Sequence, residues 1–108
     1  MQTHPAKRIE IVIERPLLRR LTAALDSTGL PGYTVLPVWG GSGRSGPWTR
    51  EGQVSAAGGM ACVTIIAEAE LAERALEQAF ALVERHIGIV SMTDCEVVRP
   101  DRFAARDG

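Results

Sequence analysis

The sequence predicts a single α+β domain built from two consecutive β-α-β units. Three observations carry this prediction: an alternating apolar stretch near the start, a long amphipathic helix pattern in the second half, and a glycine-rich region between them. A chain of 108 residues is one domain by length. We therefore treat residues 1–108 as one folding unit.

The first unit begins with "KRIEIVIE", Lys7–Glu14, where Ile9, Ile11 and Ile13 share one face of a predicted strand. Residues before Lys7, including His4, are expected to form a disordered tail. Pro16 is suited to the start of a helix, because its missing N–H costs little there. The apolar stripe of that helix has helical spacing and consists of Leu17, Leu18, Leu21, Ala24 and Leu25.

The unit closes with "YTVLPVW", Tyr33–Trp39, which is rich in β-branched and aromatic residues and predicts a second strand. The following stretch, Gly40–Gly59, contains seven glycines and few aliphatic residues. We expect a long, flexible loop over about residues 41–59, and loops of that length are often functional.

The second unit repeats the order. "MACVTIIAEA", Met60–Ala69, predicts a third strand, Glu70–His86 a helix, and Ile89–Arg99 a fourth strand, with a loose tail over residues 104–108. The expected buried face of the helix consists of Leu71, Ala75, Leu76, Ala79, Phe80 and Val83. Together the units predict a ferredoxin-like βαββαβ sandwich, a four-stranded antiparallel sheet with both helices on one face. The uncovered face invites self-association.

Composition excludes several classes of function. The net charge is −1, so the chain lacks the overall positive charge that is typical of proteins that bind nucleic acid. Apolar runs are too short for a membrane span and the start has no apolar signal core, so a cytoplasmic location is expected. Cys62 and Cys95 have no CxxC spacing and are expected to be reduced core thiols. We find no catalytic constellation and no metal-ligand spacing, and expect no enzymatic activity.

The stretch "GGSGR", Gly40–Arg44, suits an anion. Glycines let backbone N–H groups converge on a negative charge. Ser42 adds a hydroxyl, and Arg44 adds a guanidinium group that is always charged. No GK[ST] follows, so this is not a Walker P-loop. On composition alone, a bland flexible hairpin loop remains the stronger interpretation.

The order of motifs resembles the PII signalling family over about residues 7–103. "GYTV" at Gly32–Val35 and "GSGR" at Gly41–Arg44 resemble its second strand and the base of its long T-loop. "HIGIV", His86–Val90, resembles the turn after its second helix, and "EVVRPDR", Glu96–Arg102, its basic fourth strand. In "GYTVLPVWGGSGRSGP" the chain is most similar to the carboxysome-associated PII-like group.

The resemblance implies a homotrimer that binds adenine nucleotide, ADP or AMP, in clefts between subunits and senses bicarbonate. It also implies regulation of inorganic carbon supply, with a membrane bicarbonate transporter or another carbon-uptake protein as the partner. The implied nucleotide-binding residues are Thr34, Gly41, Ser42, Gly43, Arg44, Gly88, Ile89, Arg99 and Arg102. For bicarbonate they are Gly41, Ser42 and Arg44.

The chain also departs from that family. Residues 40–59 contain no tyrosine, so uridylylation there is not expected. Val90 and Ser91 replace a glycine and a phosphate-facing lysine, which weakens the expectation of tight ATP and 2-oxoglutarate binding.

Three alternatives stay open. A CutA-like trimer concerned with divalent metals would need more thiols and imidazoles. An acylphosphatase-like enzyme would need an asparagine, and the chain contains none. An interaction module would bind no small molecule.

Overall fold

The structure is a computed structural model that describes residues 1–44, 46–49 and 59–106. Its strands are β1 (His4–Glu14), β2 (Thr34–Pro37), β3 (Gly40–Gly43), β4 (Gly46–Thr49), β5 (Met60–Ala67) and β6 (Gly88–Val97). Its α-helices are α1 (Leu18–Asp26) and α2 (Ala69–Val83), and short 3-10 turns cover Arg15–Leu17 and Pro100–Phe103. No helix in the described part of the chain is long and apolar enough to cross a membrane.

Four strands form one antiparallel sheet in the order β2-β5-β1-β6. From Ile9 onward the central strand β1 is apolar at every second position, and Ile9, Ile11 and Ile13 are fully buried. Leu21 and Leu25 of α1 and Leu71 of α2 belong to the same core. The predicted ferredoxin-like fold, a sheet with both helices on one face, is confirmed.

Alternation along the strands defines two faces of the sheet. The covered face packs on the helices and includes Val63 and Ile65 of β5, which are buried. The open face carries the intervening residues, and those of the central strands from Arg8 to Val12 and from Cys62 to Ile66 are half-buried. One register row of the open face is apolar across all four strands and consists of Leu36, Cys62, Val12 and Ile89.

Several predictions about local structure were wrong. His4 was expected in a disordered tail, but it begins β1 and lies opposite Val97 of β6. Phe80 was expected in the core, but it is 57% exposed, because α2 turns its alanines rather than this ring toward the sheet. Cys62 and Cys95 are free thiols, as expected, but they are half-buried rather than core residues.

Two strands lie within the stretch predicted as a loop. β3 and β4 pair as a separate two-stranded ladder, with Gly41 opposite Trp48 and Gly43 opposite Gly46. Arg44 lies in the turn between them. Residues 45 and 50–58 lie outside the described residues, so the flexibility expected over about 41–59 stays a prediction.

The C-terminal segment crosses one end of the sheet. Glu68 N–H, just before α2, donates to the Phe103 carbonyl at 3.0 Å, and Arg106 N–H donates to the Gly29 carbonyl at 3.0 Å. The first bond ties the 3-10 turn Pro100–Phe103 to the start of α2, and the second ties the residues after it to the loop that follows α1. The looseness expected over residues 104–108 stays a prediction.

Candidate functional site

The clearest candidate site is a depression at the start of β2. Its volume is about 270 Å³. We call it the Thr34 pocket, and its lining residues are Pro31, Gly32, Tyr33, Thr34, Thr64, Ile66, Arg102 and Phe103. It unites two residues predicted as nucleotide-binding, Thr34 and Arg102, which are far apart in sequence.

Strand pairing and the C-terminal turn build the pocket. Thr34 lies directly opposite Thr64 in the β2–β5 ladder, and Ile66 follows on the same open face. Arg102 and Phe103 reach the pocket because the turn that carries them is bonded to Glu68. The pocket therefore combines aromatic and aliphatic walls with two threonine hydroxyls, a tyrosine and one guanidinium. That mixture suits a flat heterocycle with an attached anion.

Arg99 does not line the Thr34 pocket. It has φ 59°, a left-handed conformation that is rare for a residue other than glycine and costs on the order of 1–3 kcal/mol. The Arg99 carbonyl accepts a bond from Arg102 N–H at 3.1 Å. Arg99 thus shapes the turn that aims Arg102, while its predicted contact with nucleotide stays a prediction.

The glycine-rich segment is an exposed hairpin. Gly41, Ser42 and Gly43 lie in β3, and Arg44 is exposed in the turn that follows. An antiparallel ladder uses alternate N–H groups of each strand, so the remaining ones point away from the partner strand. Their predicted role as an anion cradle stays a prediction.

Gly88 and Ile89 lie at the opposite edge of the sheet from β2. Gly88 shares a register row with Ile13, Ala61 and Pro37, so three strand spacings of about 4.8 Å, roughly 14 Å in all, separate β6 from β2. Ile89 is 66% exposed. A single chain therefore does not bring Gly88 and Ile89 to the Thr34 pocket.

A second groove lies near the start of α2, with a volume of about 580 Å³. It contains Lys7 and Asp94, which form an ion pair, together with Cys95 and Glu96. The hydrogen bond from Lys7 to Asp94 raises the pKa of Lys7. None of the predicted site residues lines this groove, and its Lys7 and Asp94 charges already neutralise one another. Although larger, it is the weaker candidate.

Charges also lie on the open face beside the Thr34 pocket. Arg8 and Glu10 of β1 form an ion pair at 3.1 Å. Burial, and secondarily the charge of Glu10, raises the pKa of the nearby Cys62 thiol. Within the described ranges, no three His, Cys, Asp or Glu side chains are grouped to hold a metal ion.

Six lining residues of the pocket were not predicted as site residues: Pro31, Gly32, Tyr33, Thr64, Ile66 and Phe103. Alternation in β5 does place Thr64 and Ile66 on the face opposite the buried Val63 and Ile65, which is a usable signal. Phe103 gave a weaker one, as an isolated aromatic residue in a polar tail.

Comparisons with known proteins identify the family of this chain. The family model described as nitrogen regulatory protein P-II matches residues 6–102. No curated protein matches the chain.

Solved structures also match. CPII from Thiomonas intermedia K12, bound to ADP, AMP and bicarbonate, superposes with a TM-score of 0.84 at 27% identity, covering 95% of this chain and 97% of that one. A second CPII structure, bound to ADP and bicarbonate, gives a TM-score of 0.79 at 29% identity, covering 94% and 97%. A protein of Thermus thermophilus classed as PII-like signalling gives a TM-score of 0.74 at 26% identity, covering 95% and 99%.

The match to the family model spans nearly the whole folded chain, and the structural matches cover this chain and the other almost completely. The predicted family resemblance is therefore confirmed. The chain belongs to the nitrogen regulatory protein P-II family, and within it the chain is similar to the PII-like protein CPII.

Proposed function

We propose that this protein is a PII-like regulator that binds adenine nucleotide, ADP or AMP, in clefts between the subunits of a homotrimer and senses bicarbonate. The observation that carries the proposal is the Thr34 pocket, which joins Thr34 to Arg102 in a chain similar to a protein bound to ADP, AMP and bicarbonate. A regulator needs no catalytic group, so we infer that the protein is not an enzyme. We expect it in the cytoplasm, where adenine nucleotides are abundant.

The lining of the Thr34 pocket supports a nucleotide as the ligand. A base would lie against Tyr33, Ile66 and Phe103, and the hydroxyls of Thr34 and Thr64 would orient it, since each can donate or accept. Arg102 would pair with phosphate, which a guanidinium binds through two parallel bonds. At about 270 Å³ the pocket lies just below the roughly 300–1,000 Å³ usual for complete small-molecule sites. One chain therefore supplies part of a site.

A second copy would supply the rest. Gly41–Arg44 and Gly88–Ile89 lie away from the Thr34 pocket of their own chain, so they fit a role in the pocket of a neighbour. The apolar row Leu36, Cys62, Val12 and Ile89 gives the open face a surface on which copies can meet. A cleft at the edge of that contact would bring the two groups of residues together.

The bicarbonate proposal rests on the ligands of CPII and on the hairpin of this chain. Bicarbonate is a small anion, and a single neutral hydrogen bond contributes only about 0.5–1.5 kcal/mol. Several donors are needed, and Gly41, Ser42 and Arg44 could supply backbone N–H groups, a hydroxyl and a charge. Through such binding the protein would report on inorganic carbon to a bicarbonate transporter, another carbon-uptake protein or the carboxysome.

The test is calorimetry with ADP, AMP and bicarbonate on the wild type and on Thr34→Val and Arg44→Ala. We expect weaker nucleotide binding in both variants and weaker bicarbonate binding in Arg44→Ala. Arg20→Ala is the matched control, because Arg20 is exposed on α1, which lies on the helix side of the sheet. Wild-type binding by both variants would rule out these site residues.

Thermal melting separates the alternatives. A ligand at about 100 times its Kd stabilises the folded protein by about 2.7 kcal/mol. A melting temperature unchanged by every adenine nucleotide would favour an interaction module, whereas stabilisation by divalent cations alone would favour a CutA-like protein.

Light scattering checks the trimer: we expect three chains per particle, and Val12→Glu should reduce that number.

A further inference from the structure

The Thr34 pocket continues past β5 onto the central strand. Arg8 lies directly opposite Ile66, and Glu10 directly opposite Thr64, in the β1–β5 ladder. Residues that face each other in an antiparallel pair have their Cβ atoms about 4.5–5.5 Å apart on the same side of the sheet. Arg8 and Glu10 therefore border the pocket floor, although neither was among the predicted site residues.

Two arginines consequently flank the pocket, and each has a carboxylate neighbour on its own segment. Arg8 Nη2 lies 3.1 Å from Glu10 Oε2, with 42% and 41% of the two side chains exposed. Arg102 Nε lies 3.9 Å from Asp101 Oδ2, with 63% and 79% exposed. Ion pairs this exposed contribute little to stability, so a stronger anion can replace either carboxylate at little cost.

The Arg8–Glu10 pair lies within electrostatic range of β5. Both charges influence the Cys62 thiol on β5: Glu10 acts to raise its pKa and Arg8 to lower it. Lys7, the preceding residue, has its side chain on the other side of the strand and pairs with Asp94 of β6. Lys7 and Arg8 are therefore adjacent in β1 but pair with carboxylates on opposite sides of the strand.

We propose that Arg8 contacts the phosphate of a nucleotide in the Thr34 pocket and that Glu10 competes with that phosphate for Arg8. This rests on the proposed nucleotide binding and adds two residues to it. In the free protein Glu10 neutralises Arg8. On binding, phosphate replaces the carboxylate, because a phosphate group carries more charge and offers more acceptor oxygens to the guanidinium fork.

Calorimetry with ADP and with adenosine, which lacks phosphate, tests the proposal. Arg8→Met keeps much of the side-chain length and should weaken ADP binding about fivefold, the loss expected for a partly exposed charged contact. The same variant should bind adenosine as the wild type does. Glu10→Gln should strengthen ADP binding, because it removes the competing charge. Lys7→Met is the matched control and should change neither affinity.

The opposite signs expected for Arg8→Met and Glu10→Gln distinguish this role from a structural one. Damage to the fold would weaken ADP and adenosine alike in both variants, and that result would overturn the proposal. So would wild-type ADP affinity in both variants. If the wild type bound no adenine nucleotide at all, the proposed function itself would fail, which is a different outcome.

Discussion

The two faces of the sheet differ in what their residues do. On β5, Val63 and Ile65 point to the covered face and are buried, whereas Thr64 and Ile66 point to the open face and line the Thr34 pocket. The same alternation separates Ile9 and Ile11 of β1 from Arg8 and Glu10. One face holds the fold together, and the other carries the groups that can contact a ligand or another copy.

The open face is itself divided. The row that contains Leu36, Cys62, Val12 and Ile89 is apolar, while the neighbouring row contains Thr34, Thr64, Glu10 and Ser91 and is polar. An apolar band bordered by polar groups is the usual anatomy of a protein interface. This difference within one face places the candidate site at the rim of a surface suited to self-association.

The largest effect should come from the covered face. Ile11 is fully buried in the centre of the core, so Ile11→Ala should lower the free energy of unfolding by about 2–5 kcal/mol. Ser91→Ala is the control, because Ser91 is exposed on the open face and its loss should change stability by less than about 0.5 kcal/mol. Urea denaturation measures both. Equal losses would contradict the division between the faces.

Local sequence patterns were sufficient to predict the helices and strands whose buried faces follow from hydrophobic periodicity. Alternation in β1 and the apolar stripes of both helices predicted the fold and most of the core. They failed where residues far away in the sequence determine the local structure. His4 is in a strand because Val97 pairs with it, and Phe80 is exposed because α2 packs its small residues on the sheet. No window of neighbouring residues contains that information.

The site followed the same rule. Thr34 and Arg102 were predicted by family resemblance, but their meeting depends on the C-terminal turn bonded to Glu68. The resemblance also grouped Gly88 with these residues, whereas the structure puts it at the other edge of the sheet. A sequence motif names residues without saying which chain of an assembly contributes each one.

Gly88 lies where β6 starts and packs against residues of the covered face. A Cβ added there would lie 2.8 Å from the Val12 carbonyl oxygen, 2.9 Å from Val83 Cγ1 and 3.3 Å from Ile13 Cγ2. The carbonyl belongs to the central strand and cannot move easily, so Gly88→Ala should cost about 1–3 kcal/mol of stability.

Gly32→Ala is the control for this steric effect. Gly32 lies beside the Thr34 pocket with no atom within 4 Å of an added Cβ, so little loss is expected. Urea midpoints of the two variants measure the difference. If both glycines tolerated alanine equally, the packing role of Gly88 would be wrong.

The smallest effect concerns Cys62, whose thiol reports on the charges of the open face. Only a thiolate is alkylated, and burial raises the pKa of Cys62, so at pH 8 the folded protein should react more slowly with iodoacetamide than the unfolded chain. A Cys95→Ser background isolates the signal, and mass spectrometry over a pH series measures the rates.

The charges beside Cys62 should change its alkylation rate in opposite directions. Because Glu10 acts to raise this pKa and Arg8 to lower it, Glu10→Gln should speed the reaction and Arg8→Met should slow it, each by roughly twofold since exposed charges are screened. Changes of the same sign in both variants would show that access to the thiol, rather than charge, controls the alkylation rate. The Arg8–Glu10 pair would then have no electrostatic effect on Cys62.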